Sequence, residues 1–302
     1  MKKDVILFHG DYDGIASAAL VIGLFRPVRY EAIPCEPFGV NKILRRFEEM
    51  KRAGEVFERL FIVDLAPNNK SMSMTEKFMA ACAAQFSAVE LFDHHNGWEN
   101  IEMPHGIEKH IDSSYKSCAS LIYASQTERS GFFDTITSDA DIIDSGGYEG
   151  ICPQSAAVYG ALKANLRDDD IKMKSLQFML SGYRDAGYYE AIKLRAAAYD
   201  EILARSLEAM SEKLVEVTPR ICYIDLGCGE YDITAIIMRC YERYPFVIVE
   251  YKSGGTVFDV VATRLEDIDL VKVLGLKSGA RFRVTITKRD RDEIVKAIEN
   301  SA

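Results

Sequence analysis

Three short, mainly apolar runs, Val5-Ile6-Leu7-Phe8, Leu60-Phe61-Ile62-Val63 and Ala88-Val89-Glu90-Leu91-Phe92, each stop at a histidine or an aspartate. Runs of this kind, without polar alternation, mark strands buried on both faces, as in a parallel sheet. A further strand is expected over 28–33, and helical patterns cover 14–25, 40–53 and 68–84. This alternation predicts an α/β fold with a doubly wound, mainly parallel sheet. Open sheets of that kind collect their ligands outside the carboxyl ends of the strands. His9, Asp64 and Asp93 fall at such ends.

The polar residues there are metal donors. In His9-Gly10-Asp11-Tyr12-Asp13-Gly14, side chains alternate along an extended chain, so His9, Asp11 and Asp13 converge. Asp64 ends the next apolar run, Asp93-His94-His95-Asn96 the one after, and Asp139-Ala140-Asp141-Ile142-Ile143-Asp144 adds more carboxylates. Carboxylates mixed with imidazoles suit Mn²⁺, Fe²⁺, Co²⁺ or Zn²⁺ better than Ca²⁺. Two ions about 3.5–4 Å apart clamp the attacking and leaving oxygens of a phosphoryl displacement. Asp64, at a central strand end, is the natural bridge, and so many acids would repel one another without cations.

Charge narrows the partner. Residues 1–216 hold 24 Lys+Arg and 33 Asp+Glu, which accounts for the whole net charge of −9, and residues 217–302 hold 13 of each. No basic track is present for long nucleic acid. A small phosphorylated substrate or a short oligonucleotide fits better. The seven cysteines are widely spaced without a CxxC, so reduced core thiols are expected, with Cys118 and Cys152 close to polar segments. No apolar run reaches the ~20 residues of a membrane span, and Met1-Lys2-Lys3-Asp4 lacks a signal-peptide pattern. The expectation is a cytoplasmic protein with no membrane partner; a homodimer is compatible with it.

Beyond His95, an extended piece at 107–111 and a helix at 117–129 precede a mostly helical stretch, 132–185. Asp168-Asp169-Asp170 reads as a helix amino terminus. Residues 187–216 form a long amphipathic pattern, with apolar positions from Ile192 to Val217 at three- and four-residue steps. After Pro219 a compact α+β unit follows, with strands at 221–224, 246–250, 257–262 and 282–286 and helices at 232–243 and 290–299. Gly254-Gly255 marks a hairpin. The expected organisation is a catalytic domain over 1–186, a linker helix over 187–216 and a smaller domain over 217–302.

These residues carry a resemblance to the DHH phosphoesterase superfamily. His9-Gly10-Asp11-Tyr12-Asp13-Gly14 resembles its first motif in the HxDxDG form of RecJ-like members. Ile62-Val63-Asp64 resembles the second, Asp93-His94-His95-Asn96 the third and Ala140-Asp141-Ile142 the fourth. The resemblance implies a hydrolase with two divalent ions, usually Mn²⁺, with Mg²⁺ or Co²⁺ as alternatives. It places Asp11 on one ion with His9 beside it, Asp13 with His94 and Asp141 on the other, and Asp64 between them. His95 would face the scissile phosphate, Asp93 would orient the histidines, and a metal-bound water of lowered pKa would attack. Ser113, Ser114 and Ser117, ahead of a helix, could hold phosphate oxygens. Residues 217–302 resemble the DHHA1 domain, where Leu274-Gly275-Leu276-Lys277-Ser278-Gly279-Ala280-Arg281 stands at the place of a glycine-rich stretch with a histidine. Lys277, Ser278 and Arg281 are the candidate anion contacts there.

Blander readings apply elsewhere. Asp139 and Asp144 read as capping or solvent-facing, Trp98 as a loop anchor, His105 and His110 as surface or packing residues, and Arg45-Arg46 as a solvated helix face. The leading functional expectation is cleavage of a phosphodiester or phosphomonoester of a nucleotide or short oligonucleotide. Alternatives are a pyrophosphatase or exopolyphosphatase acting on phosphoanhydrides, and a nucleotide-sensing protein without turnover.

Overall fold

A computed structural model of the chain describes residues 2–68, 72–126, 130–147, 150–276 and 281–301. They divide into two compact units, residues 1–199 and 200–302. In the first unit the elements are β1 (Lys3–His9), α1 (Tyr12–Phe25), β2 (Tyr30–Cys35), α2 (Val40–Arg52), β3 (Phe57–Val63), α3 (Met72–Ala83), β4 (Ala88–Asp93) and β5 (Ile107–Ile111). Helices follow: α4 (Cys118–Ala124), α5 (Gly131–Asp144), α6 (Pro153–Ala164), α7 (Asp169–Leu180) and α8 (Ala186–Lys213), the last containing the division between the units.

Among the described residues, five strands form one sheet in the order β2-β1-β3-β4-β5, and every neighbouring pair is parallel. This is the doubly wound sheet that the buried apolar runs predict. Val5, Leu7, Leu60, Ile62, Val89 and Leu91 pack on α2 and α3 through Ile43, Phe47, Phe78 and Met79. Ile6 and Phe8 point to the other face by strand alternation, where α1 lies against α4, α5 and α7. Helix α1 is buried all round from Tyr12 to Ile22, which a helix built from Ile15, Ala16, Ala18, Ala19 and Leu20 tolerates. Each fully buried Ile or Leu contributes about 1.5–3 kcal/mol. The motif at the head of α1 thus stands on a rigid, core-embedded helix.

In the second unit, β6 (Leu214–Thr218), β7 (Ile221–Cys228), α9 (Ile233–Cys240), β8 (Phe246–Ser253), β9 (Thr256–Thr263), α10 (Leu270–Val273), β10 (Arg283–Thr287) and α11 (Arg291–Glu299) follow in order. Their sheet runs β10-β9-β8-β7-β6, with β7 and β8 parallel and the other pairs antiparallel. Gly254 and Gly255, at φ +58° and +82°, turn the β8–β9 hairpin. Strand β6 differs from the sequence expectation. Leu214 and Val217 extend the helical spacing of α8, yet Leu214–Thr218 pairs with β7, because sheet pairing satisfies backbone groups that periodicity does not register. No helix among the described residues is long and apolar enough to cross a membrane.

Candidate metal centre

Strands β1 and β3 are neighbours, with β2 on one side and β4 on the other. The winding therefore reverses between them, and a crevice opens at their carboxyl ends. The β1–α1 junction, the residue after β3, the end of β4 and the last turn of α5 supply side chains to it.

At the first junction, Asp11 caps α1, its Oδ1 accepting from the Gly14 amide at 3.0 Å. Gly14 is required by close approach, since a Cβ there would stand 2.2 Å from the His9 carbonyl oxygen. Asp13, in the first turn, is 1% exposed. Its carboxylate accepts from the amides of Cys118 and Ala119 at 2.7 and 3.0 Å. The amino end of α4 therefore holds Asp13 rather than a phosphate. Ser117 is equally engaged: it is buried, accepts from the Ser120 amide and donates to Asp141 Oδ1 at 2.6 Å. Ser113 and Ser114 are exposed on the turn before α4.

Asp64 follows β3 directly and adopts φ +52°, a left-handed conformation that aspartate tolerates better than most residues. Its amide donates to the Phe92 carbonyl at 3.0 Å, which pins it against β4. Its two carboxylate oxygens face different histidines. Oδ2 is 3.7 Å from His9 Nδ1, and Oδ1 is 3.7 Å from His94 Nε2 and 3.8 Å from His95 Nδ1.

At the end of β4, fully buried Asp93 accepts from the His95 amide at 2.9 Å and from His95 Nδ1 at 2.6 Å on Oδ1, and from Trp98 Nε1 at 2.8 Å on Oδ2. Trp98 anchors the loop and also completes the surroundings of Asp93. His94 Nδ1 donates to the Tyr115 carbonyl at 3.3 Å, which leaves the lone pair on Nε2. Among the described residues, that Nε2 is buried without a hydrogen-bond partner. It lies 3.6, 3.7 and 3.8 Å from carboxylate oxygens of Asp144, Asp64 and Asp13.

On α5, the carboxylate beside His94 is that of Asp144. Asp141 Oδ1 instead accepts from the hydroxyls of Ser117 and Ser120, both at 2.6 Å. The two aspartates are three residues apart and share a helix face, so their spacing does not say which one meets His94; the serines of α4 decide it. Asp139 is buried and accepts from the Cys152 amide at 3.3 Å.

Donor atoms of three sets lie within 4.8 Å of one another: His9, Asp11 and Asp64; Asp13, His94 and Asp144; Asp64, His94 and His95. The third set is weakened because His95 Nδ1 is bound to Asp93. Burial, then the charges of Asp144 and Asp11, push the Asp13 carboxyl well above the usual carboxylate range. Burial, then Asp13 and Asp11, do the same to Asp64. Burial also raises Asp144. Asp11 goes the other way: burial opposes ionisation, but the adjoining His9 lowers it. For His95, burial is outweighed by Asp93, which brings the imidazole up to about 9. A buried imidazole lone pair without a partner, facing carboxylates that resist ionisation, is the donor set a divalent cation completes.

Sequence reasoning missed Tyr115, which sets the His94 tautomer through its backbone, and a pair behind His9. Glu36 Oε2 lies 3.1 Å from His9 Nε2, and Lys172 Nζ lies 3.2 Å from Glu36 Oε1. Nothing in the motif spacing signals either residue. Lys277 and Ser278 lie outside the described residues. Arg281 belongs to the second unit, where its Nε donates to the Ile268 carbonyl at 3.2 Å and its Nη2 to that of Glu266. These bonds hold the turn before α10.

No family model matches the sequence, and no curated protein does. Solved structures do match its fold. RecJ from Thermus thermophilus, in complex with Mn²⁺, superposes with a TM-score of 0.64 at 12% identity over 99% of this chain and 52% of that one. The chain thus spans about half the length of that RecJ. An exopolyphosphatase-related protein from Bacteroides fragilis gives a TM-score of 0.58 at 13% identity, over 99% of this chain and 91% of that one. An exonuclease RecJ bound to manganese gives 0.56 at 11%, over 99% and 90%.

Proposed function

On the DHH phosphoesterase fold that the chain shares with these structures, we propose a two-metal phosphohydrolase acting on a phosphodiester or phosphomonoester of a nucleotide or short oligonucleotide. One observation carries the reading: the two oxygens of Asp64 face His9 on one side and His94 on the other. A carboxylate so placed can serve two cations at once. His9, Asp11 and Asp64 would hold one ion, and Asp13, His94, Asp144 and Asp64 the other. Bound divalent ions would supply Lewis acidity, acidifying water and neutralising charge on a phosphoryl oxygen. Mn²⁺ suits the mixed imidazole and carboxylate donors, and RecJ structures with Mn²⁺ or Mg²⁺ support the use of a divalent ion.

The chain's own residues do the rest. Asp93 holds His95 by Nδ1 and orients the ring, so that Nε2, when protonated, can donate to a phosphoryl oxygen. Trp98 and the His95 amide fix Asp93 in turn. The amides at the head of α4 fix Asp13. Asp141, whose Oδ1 takes the hydroxyls of Ser117 and Ser120, would brace the α4–α5 contact, and Asp144 would take its place beside His94.

The exopolyphosphatase-related relative favours a second reading, phosphoanhydride cleavage, at the same centre. Both are tested by Mn²⁺-dependent release of product from an aryl phosphodiester, a dinucleotide, 3′-phosphoadenosine 5′-phosphate and tripolyphosphate. Turnover of esters with tripolyphosphate inert supports the first reading, and the reverse pattern supports the second. Asp64→Asn is expected to abolish either. Undiminished hydrolysis in that variant, or no hydrolysis of any of the four by wild-type protein, would refute the assignment.

A further inference from the structure

Glu36 stands one residue beyond β2, and Lys172 lies on α7, 136 positions later. Both converge behind His9. The Glu36 carboxylate uses both oxygens: Oε2 accepts from His9 Nε2 at 3.1 Å, and Oε1 accepts from Lys172 Nζ at 3.2 Å. Both Glu36 oxygens are thus engaged by side chains, one on each side. Lys172 is 4% exposed at its side chain, and its second acceptor is Asp169 Oδ1 at 3.4 Å. A buried ammonium so far from solvent needs such partners.

The backbone is shaped around this arrangement. A Cβ on Gly10 would lie 2.5 Å from Lys172 Nζ and 2.9 Å from its Cδ. The glycine between His9 and Asp11 is thus the space through which the lysine reaches Glu36. The opposite edge of the His9 ring, Nδ1, lies 3.0 Å from Asp11 Oδ2 and 3.7 Å from Asp64 Oδ2.

We propose that Glu36 and Lys172 are a positioning pair that fixes the tautomer and orientation of His9, and thereby sets the affinity of the ion site made by His9, Asp11 and Asp64. This rests on the two-metal reading above. An Nε2–H held by Glu36 makes Nδ1, the atom that faces the other two donors, the one that would turn its lone pair to an ion. A carboxylate behind a ligating imidazole raises its basicity and restricts its rotation, and losing such a partner weakens metal binding by about 10–100-fold. Lys172 keeps Glu36 aimed at His9, its Nζ donating to Oε1 at 3.2 Å while Oε2 faces the imidazole.

Calorimetric titration of the full chain with Mn²⁺ tests the proposal. Wild-type protein is expected to bind two ions. Glu36→Ala should weaken one of them by about 10–100-fold and leave the other unchanged. Glu36→Gln keeps one acceptor for Nε2–H but loses the charge, and should recover only part of that loss. Lys172→Met preserves the stem beside Gly10 and should weaken the same single site. Two ions at wild-type affinity in Glu36→Ala, or equal weakening of both, overturns the positioning role alone. Fewer than two ions in the wild-type protein overturns the two-metal reading, and the positioning role with it. Melting in EDTA separates misfolding from either outcome: a folded Glu36→Ala with one weakened site supports the pair.

Discussion

Metal binding should stabilise the first unit strongly, and one substitution should remove most of that effect. Asp13 and Asp64 are 1% and 2% exposed, and each stands among carboxylates whose charges raise its own carboxyl. A cation that binds only the folded state stabilises by RT ln(1 + [L]/Kd), about 2.7 kcal/mol at a hundred times Kd. Two sites give about 5 kcal/mol on the same relation. A unit of residues 1–199 shifts by about 2–4 °C per kcal/mol, so saturating Mn²⁺ should raise its melting temperature by roughly 10–20 °C. Asp64→Asn keeps a residue that tolerates φ +52° and deletes the shared charge. In EDTA it should melt no lower than wild type, because a buried carboxylate facing Asp13 and Asp11 is relieved of repulsion. Its Mn²⁺ shift should fall to less than half of the wild-type value. Scanning calorimetry with and without Mn²⁺ measures both. A wild-type melting temperature unmoved by Mn²⁺, or an equal shift in Asp64→Asn, refutes the reasoning.

Three further outcomes are expected. The His95 imidazole is raised from 6.5 to about 9, so its contribution is fully present below pH 6.5 and is lost as pH rises through about 9; melting in EDTA should fall across that window, and His95→Asn should flatten the fall. Asp144→Asn should weaken Mn²⁺ binding by at least the roughly tenfold that losing even an outer partner costs, whereas Asp141→Asn should leave the affinity unchanged and lower stability through Ser117 and Ser120, as titration and urea unfolding would report. Tyr183→Phe removes one hydroxyl from a closed triangle in which Tyr12 lies 2.6 Å from Ser155 and 3.0 Å from Tyr183, and Ser155 lies 2.8 Å from Tyr183; it should cost about 1–2 kcal/mol in urea unfolding, and no change would show that the triangle does not brace the head of α1.

The parts of the centre that were legible in the sequence are those tied to strand ends. In a sheet buried on both faces, apolar residues run unbroken until the strand stops, so His9, Asp64 and Asp93 announce themselves. Helix α5 offers no such stop. Asp141 and Asp144 share a face, and the partner serines on α4 belong to another segment. The same limit hides Glu36 and Lys172, which meet only because α7 packs near β2. Ser117 looks like a phosphate contact in front of a helix, yet it caps α4 and pairs with Asp141, while Asp13 takes the amides that an anion would have used. Strand β6 was hidden for a different reason, since its apolar residues continue the spacing of the helix before it.

The central claim is a pair of cations sharing Asp64. Anomalous diffraction from crystals grown with Mn²⁺, collected near the manganese edge, tests it most directly. Two peaks are expected about 3.5–4 Å apart, one beside His9 and Asp11, the other beside His94, Asp13 and Asp144, with Asp64 touching both. A single peak, or two peaks that do not share Asp64, would contradict it.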